Sequence, residues 1–146
     1  MRELITEIDI KARAPLVWEI LLDFEAYPSW NPFITKIGGA PGPGSRLNVV
    51  MEQPGSRSMR FRPRVVVLRP NRELAWKGRL FMPGIFDGEH HFVIEPAARG
   101  SVRFVQRERF SGILVALFRK MIDTRTRAGF EAMNRALKRR AEGAGR

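Results

Sequence analysis

Two histidines, His90 and His91, stand side by side in the stretch GIFDGEHHFVIEP, Gly84 to Pro96, and they are the only histidines in the chain. Neighbouring imidazoles can ligate a metal, trade protons as acid and base, or simply belong to a core. The alternation around them decides between these uses. Phe86, Gly88, His90, Phe92 and Ile94 share one parity, while Asp87, Glu89, His91, Val93 and Glu95 share the other, the pattern of a half-buried strand. Successive side chains on a strand point to opposite faces, so the two rings cannot chelate one metal or act as a pair. His90 is expected inside and His91 outside. In the following run, GSVRFVQRERF, the same argument sends Gln106 and Glu108 inward with Val102, Phe104 and Phe110.

Turn positions set the expected register. If Ile94 faces Val102 or Phe104, His90 lies opposite Gln106 or Glu108, about 5 Å away. If Leu80 faces Phe86, Trp76 falls beside His90, and Gly78 faces Gly88. Two facing glycines remove side-chain volume from the wall, so either the sheet bends there or something occupies the space. An unpartnered buried polar group costs roughly 1–3 kcal/mol, so His90, Gln106 and Glu108 must bond to one another, to water or to a ligand. One reading is a self-satisfied core network. The other is the polar end of an apolar cavity. His90 near Glu108 has the groups for acid–base chemistry on a ketone or enol, but no nucleophile, GxSxG, P-loop lysine, HExxH or dinucleotide motif accompanies it. No cofactor and no metal site are expected.

The elements that hold these residues follow from period and punctuation. Leu4, Thr6, Ile8, Ile10 and Ala12 form the inner side of a first strand, and Pro15 opens a short helix ending near Phe24. YPSWNPFI, with Pro28 and Pro32, allows one helical turn around Ser29 to Asn31, and GGAPGPGS is a loop. Further strands carry Leu47, Val49 and Met51, then Phe61, Pro63, Val65 and Val67, then Trp76, Gly78 and Leu80, with a hairpin closing at Pro83 and Gly84. From Ile113 the period turns helical: Leu114, Leu117, Phe118, Met121, Ile122, Phe130, Met133 and Leu137 make one stripe of a long final helix. Arg125 and Gly129 fall within that stripe, the wrong place for a charge or a helix breaker unless something meets them. Arg125 is expected to pair with Glu108, to hold an acidic ligand, or to reach out to the helix edge.

With 146 residues, one domain over residues 1–142 and a disordered tail over 143–146 are expected. The absence of cysteine rules out disulfides and thiol chemistry. The charged start does not read as a secretory signal and no apolar run is long enough to span a membrane, so cytoplasm is the expected compartment. The net charge of +11 comes from 21 Arg and 5 Lys against 15 acidic residues. Because Arg60, Arg62, Arg64, Lys77, Arg79, Arg103, Arg107 and Arg109 alternate with apolar residues, they read as the wet face of a sheet rather than a specific nucleic-acid surface. Weak contact with an anionic membrane is compatible with this charge.

The strings YPSWNPFI, RELAWKG, PGIFDGEHHFVIEP, GSVRFVQRERFSGIL and GFEAMNRALKRRAE, in that order over nearly the whole chain, resemble the polyketide cyclase/dehydrase and lipid-transport family, a branch of the START and birch-allergen-like superfamily. The resemblance implies an α+β helix-grip fold: a curved seven-stranded antiparallel sheet wrapped around a long C-terminal helix, two short helices after the first strand, and an apolar cavity between. It also implies that His90 in GEHHF and Glu108 in RERFSG mark the cavity's polar end, and that Trp30 and Asn31 in YPSWNPF sit at its mouth, unless they are a packing tryptophan and a capping asparagine. The superfamily hosts carriers, cyclases, aromatase-like domains, ubiquinone-binding proteins and hormone receptors, so fold alone selects no function. The favoured expectation is a carrier or sensor of a hydrophobic small molecule such as a lipid, isoprenoid or polyketide-like compound. It would be bound by Trp30, Asn31, Trp76, Gly78, Gly88, His90, Gln106, Glu108, Met121 and Arg125. The alternative is a cyclase or dehydratase with His90 as acid or base and Glu108 orienting it. Either a monomer or a homodimer fits.

Overall fold

In the computed structural model all residues are described except Pro54, Ser56, 81–83 and 145–146, and of Leu80 only the backbone. Strand β1 (Arg2–Ile10) is followed by helix α1 (Ala14–Leu22), a 3-10 turn (Phe24–Ala26) and the four-residue helix α2 (Tyr27–Trp30). Six strands follow: β2 (Ile34–Gly38), β3 (Asn48–Met51), β4 (Met59–Phe61), β5 (Arg64–Arg69), β6 (Glu73–Leu80) and β7 (Phe86–Pro96). Strand β8 (Val102–Ser111) completes the sheet region. A last helical stretch comprises α3 (Arg119–Met121), a π-helical segment (Ile122–Thr126) and α4 (Arg127–Ala144). Pro15 sits in the first turn of α1, where its missing N–H costs nothing.

The strands form two antiparallel sheets, a five-stranded one in the order β1-β8-β7-β6-β5 and a three-stranded one in the order β2-β3-β4. The expected single seven-stranded sheet is corrected to this pair. Its physical cause lies in Pro63, which has no N–H for a ladder and separates β4 from β5. A register shift between Val65 and Val67 bends β5 further. The two sheets stay joined because Leu47 N–H donates to the Pro63 carbonyl at 2.9 Å and Val65 N–H to the Ser45 carbonyl at 2.9 Å. The result is one curved antiparallel wall in two pieces, gripping the final helix.

Three more expectations change. Strand β2 lies where only a proline-bounded turn and a loop were expected. The final helix starts at Arg119 instead of Ile113, with turns before it, and Ile113 and Leu117 are exposed rather than part of a buried stripe. Helix α4 continues through Gly143 to Ala144, past the expected domain end. The hairpin expected at Pro83 and Gly84 falls partly outside the described residues.

Helix α4 packs on β1 and α1, burying Phe130, Met133, Asn134, Leu137 and Ala141. Gly129 is explained by what lies above it. A Cβ there would stand 2.4 Å from the Phe33 ring, which also packs edge-on against Phe130 at 5.4 Å. The outer face is polar as expected: Arg103 meets Asp9 at 3.2 Å and Arg109 meets Glu3 at 3.3 Å, pairs on an exposed surface that contribute little to stability. His91 also lies on this face, its two nitrogens turned to Glu73 and Glu89 at 2.5 and 3.1 Å. At the inner end of α1, the buried Tyr27 hydroxyl donates to the Leu21 carbonyl at 2.6 Å, and burial pushes its phenol above its usual range.

Candidate functional site

The observed register is the one inferred from the turns. Leu80 pairs with Phe86, Trp76 with His90, and Gly78 with Gly88, while Ile94 pairs with Phe104 and His90 with Glu108. His90, Gln106 and Glu108 therefore meet on the inner surface, under the final helix.

His90 is almost fully buried and does not itself line the pocket. Its ring stacks on Phe92 at 4.1 Å and packs against Phe130 at 4.8 Å and Trp76 at 5.8 Å. Its Nε2 lies 2.9 Å from Gln106 Oε1, and the Gln106 amide nitrogen donates both to the Phe130 carbonyl at 3.2 Å and to Asn134 Oδ1 at 2.8 Å. Asn134 in turn donates to Thr6 Oγ1 at 3.0 Å. A backbone carbonyl can only accept, so it fixes which end of the Gln106 amide faces it. Gln106 Oε1 is then an acceptor toward His90, and His90 Nε2 carries a proton.

That assignment leaves Nδ1 for Glu108. Nδ1 stands 3.1 Å from Glu108 Oε1, close but off the line of a well-formed hydrogen bond. A bare imidazole lone pair against a bare carboxylate oxygen at that distance would repel. A proton on the ring or on the carboxyl would relieve that repulsion. In either state the second oxygen, Oε2, is an acceptor. It occupies the space over Gly88, where a Cβ would come within 2.2 Å of it. The space between the facing glycines is thus filled from the chain itself, by Glu108 over Gly88 and by Phe61 over Gly78, where a Cβ would lie 3.2 Å from the ring.

Beside these residues opens a pocket of about 60 Å³, lined by Met51, Met59, Phe61, Trp76, Phe86, Phe110, Met121 and Ile122, with Gln53, Gly78, Arg79, Gly88, Glu108 and Thr126 as its remaining wall. A single water needs roughly 10–15 Å³ on the same measure, so this is space for more than one solvent molecule. The π-helical segment supplies Ile122 and Thr126, and π turns inside helices recur at functional sites. Thr126 donates to Gln53 Oε1 at 3.0 Å, and among the described residues the Gln53 amide N–H groups face the sulfurs of Met51 and Met59, at 3.7 and 3.8 Å. Thioether sulfur is a weak acceptor. The wall is mostly apolar, with one strong acceptor, Glu108 Oε2, one poorly matched donor, Gln53, and the exposed Arg79 as its one cation among the described residues.

Of the residues expected at a ligand site, Trp76, Gly78, Gly88, Glu108 and Met121 line this pocket. His90 and Gln106 stand one layer behind, as supports. Trp30 and Asn31 are not among its described lining residues. Asn31 follows α2 and its side-chain oxygen accepts from the Phe33 and Ile34 backbone N–H groups at 3.0 and 2.9 Å, shaping the turn into β2 rather than capping a helix, while Trp30 packs edge-on against Tyr27 at 5.1 Å. Arg125 is exposed and lies along Gly55 rather than at Glu108.

Sequence reasoning missed Gln53, Thr126 and Asn134, though each left a signal. Gln53 continues the inward parity of Leu47, Val49 and Met51. Thr126 and Asn134 stand four residues to either side of Phe130 on the helix's buried stripe.

Comparison with known proteins agrees with this architecture. Among solved structures, the Zhui aromatase/cyclase from Streptomyces sp. R1128 superposes with a TM-score of 0.81 at 19% identity, covering 99% of this chain and 96% of its own. A START superfamily protein from Mycobacterium smegmatis does so at 0.75 and 23% identity, covering 97% and 98%. A norcoclaurine synthase point mutant from Thalictrum flavum, in complex with a transition-state analogue, follows at 0.74 and 16%, covering 99% and 96%. These likenesses fix the fold. No curated protein sequence matches the chain significantly. The model of one family, polyketide cyclase/dehydrase and lipid transport, matches residues 1–142, and the chain belongs to that family.

Proposed function

We propose that the pocket binds an uncharged, largely apolar small molecule that presents a hydroxyl or N–H donor to Glu108 Oε2. The observation carrying this reading is the Glu108 carboxyl itself. It stands against a buried imidazole, 3.1 Å from Nδ1, and its second oxygen faces a mostly apolar wall as an acceptor in both protonation states. A carboxylate ligand has no donor to offer and would place acceptor against acceptor. Fatty-acid anions are therefore disfavoured relative to alcohols, phenols and enols. The chain's own Met51, Met59 and Met121 suit a ligand of irregular shape, because thioether side chains repack readily. Family membership supports a hydrophobic ligand in this cavity.

A matched pair of fluorescent probes tests the reading. 2-Naphthol should bind, and 2-naphthoate should bind about tenfold more weakly or not at all, about 1.4 kcal/mol or more. Glu108→Leu should abolish the preference. If neither probe nor a set of neutral lipophilic dyes binds, and nothing co-purifies by native mass spectrometry, the ligand-binding reading is wrong.

An enzymatic reading, of cyclase or dehydratase type, draws on the closeness of His90 Nδ1 to Glu108 Oε1, 3.1 Å apart. The group that would touch substrate is then Glu108, taking a proton from a hydroxyl or from carbon beside a ketone at Oε2 and later returning it, with His90 as the positioning residue. This reverses the roles expected from sequence, because His90 is walled off by Phe92, Phe130 and Trp76. Glu108→Gln separates the two readings. Its amide nitrogen can donate to His90 Nδ1 while its oxygen remains an acceptor over Gly88, so a carrier should keep its affinity and an enzyme should lose turnover.

A further inference from the structure

Among the described residues five large apolar side chains stand exposed, and three of them gather at one end of the molecule. Ile113 is 75% exposed, Leu117 74% and Met1 85%. Met1 precedes Arg2, whose partner across the sheet is Phe110, and Ile113 and Leu117 lie in the turns just after that phenylalanine. The segment from 111 to 118 links Phe110 to Met121, both of which line the pocket. None of its own residues is among those lining the pocket, but both of its ends lead into the pocket wall.

The segment is held in place. Gly112 has a φ of +115°, and a Cβ on it would fall 2.5 Å from the Ile85 carbonyl oxygen, so only glycine lets the chain approach so closely. Ile113 and Leu114 N–H groups donate to the Gly84 and Ile85 carbonyls at 3.1 and 3.0 Å. Inside, Phe118 packs edge-on against Phe86 at 5.5 Å. Ile113 and Leu117 point away from this anchored base, and Arg119 and Lys120 follow directly, both exposed. Among the described residues neither is in an ion pair. Of the carboxylates at this end, Asp123 is paired with the Arg2 guanidinium, while Asp87 accepts from the Gly84 N–H through one oxygen and keeps its other oxygen buried without a hydrogen bond.

We propose that this tip docks on an anionic lipid bilayer, with Ile113, Leu117 and Met1 entering the headgroup boundary and Arg119 and Lys120 against the acidic headgroups. A group of exposed aliphatic side chains with two unpaired basic ones directly beside it in the chain matches a bilayer surface. It does not match a protein interface, whose buried centre is enriched in aromatic residues and which needs a broad complementary area. Docked in this way, the segment that leads into the pocket wall at both ends would face the membrane, the natural source of a hydrophobic ligand. The docking stands whether or not the pocket carries one.

The full chain, floated with phosphatidylcholine vesicles containing about one-third phosphatidylglycerol, should co-migrate with them, and should not with pure phosphatidylcholine. Ile113→Asp with Leu117→Asp should cut vesicle binding at least about tenfold, and Arg119→Glu with Lys120→Glu should abolish its dependence on anionic lipid. Circular dichroism should show both double variants folded, since all four side chains are exposed. Failure of the unaltered protein to float would overturn the proposal. So would undiminished binding by the aspartate variant, which would place the contact on the arginine-rich sheet face. A dimer in sedimentation analysis that the aspartate variant dissolves would show instead that a second copy covers the tip.

Discussion

Gly129 and Gly88 each clear space on the inner surface, but what fills that space differs. Above Gly129 lies the Phe33 ring, wedged against Phe130 and unable to yield. Above Gly88 lies the Glu108 carboxyl, the far end of a flexible side chain beside an open pocket. The first region is closed packing, where each contact stabilises the fold. The second is a built recess whose occupant has a spare acceptor. The polar groups divide in the same way: Gln106, Asn134, Thr6 and the Nε2 side of His90 are joined in a chain from sheet to helix, while Glu108 and Gln53 each keep a binding group without a good partner. Stability and binding are thus assigned to adjacent layers, and substitutions should separate them.

The largest effect should come from the closed layer. His90→Ala removes a ring packed among three aromatics and strands the Gln106 oxygen, a loss of about 3 kcal/mol by urea unfolding. A loss below about 1 kcal/mol would mean the ring is not packed as described. Gly129→Ala comes next. Overpacking against Phe33 costs about 1–3 kcal/mol, offset by up to about 1 kcal/mol of improved helix propensity, so net destabilisation should appear in the thermal midpoint. Gly88→Ala inverts the pattern: the carboxyl can move aside, so stability should change by less than about 1 kcal/mol, while 2-naphthol affinity falls about tenfold. If Gly88→Ala were as destabilising as Gly129→Ala, the distinction between the layers would not hold.

The smallest effect lies on the surface. Glu142 accepts from the Lys11 backbone N–H at 2.9 Å and from Lys138 at 2.7 Å, and the first of these chiefly holds its carboxyl below the usual carboxylate range. A depressed folded-state value means the contribution is present above the ordinary glutamate range and lost as pH falls through the depressed value. The stability difference between the native protein and Glu142→Gln should accordingly be small at neutral pH and vanish in acid.

Parity and turn register could be read from the sequence because both are local. The opposite facing of His90 and His91, the pairing of Gly78 with Gly88 and the inward aim of Gln106 and Glu108 all follow from a two-residue repeat counted back from tight turns. The division of the wall into two sheets was harder to read, because alternation runs unbroken across Phe61, Pro63 and Val65 and only the missing proline N–H breaks the ladder. The apolar residues Ile113 and Leu117 match a helical stripe, yet lie in turns; periodicity does not reveal that Gly112 has pinned the chain against Ile85. Arg125 shows the complementary failure. Its place in the stripe is real, but the π turn at Ile122–Thr126 adds a residue to that part of the helix and changes which side chains face inward. The final link, Gln106 to the Phe130 carbonyl and Asn134, joins residues 24 and 28 positions apart, and only the packing of helix on sheet brings them together.

A crystal structure with 2-naphthol bound tests the central claim most directly. The hydroxyl oxygen should lie about 2.5–3.0 Å from Glu108 Oε2, with the rings between Trp76, Phe110 and Met121 and with His90 still on Gln106. A naphthol bound in this pocket with its hydroxyl turned to solvent, or bound only elsewhere on the protein, would contradict the account.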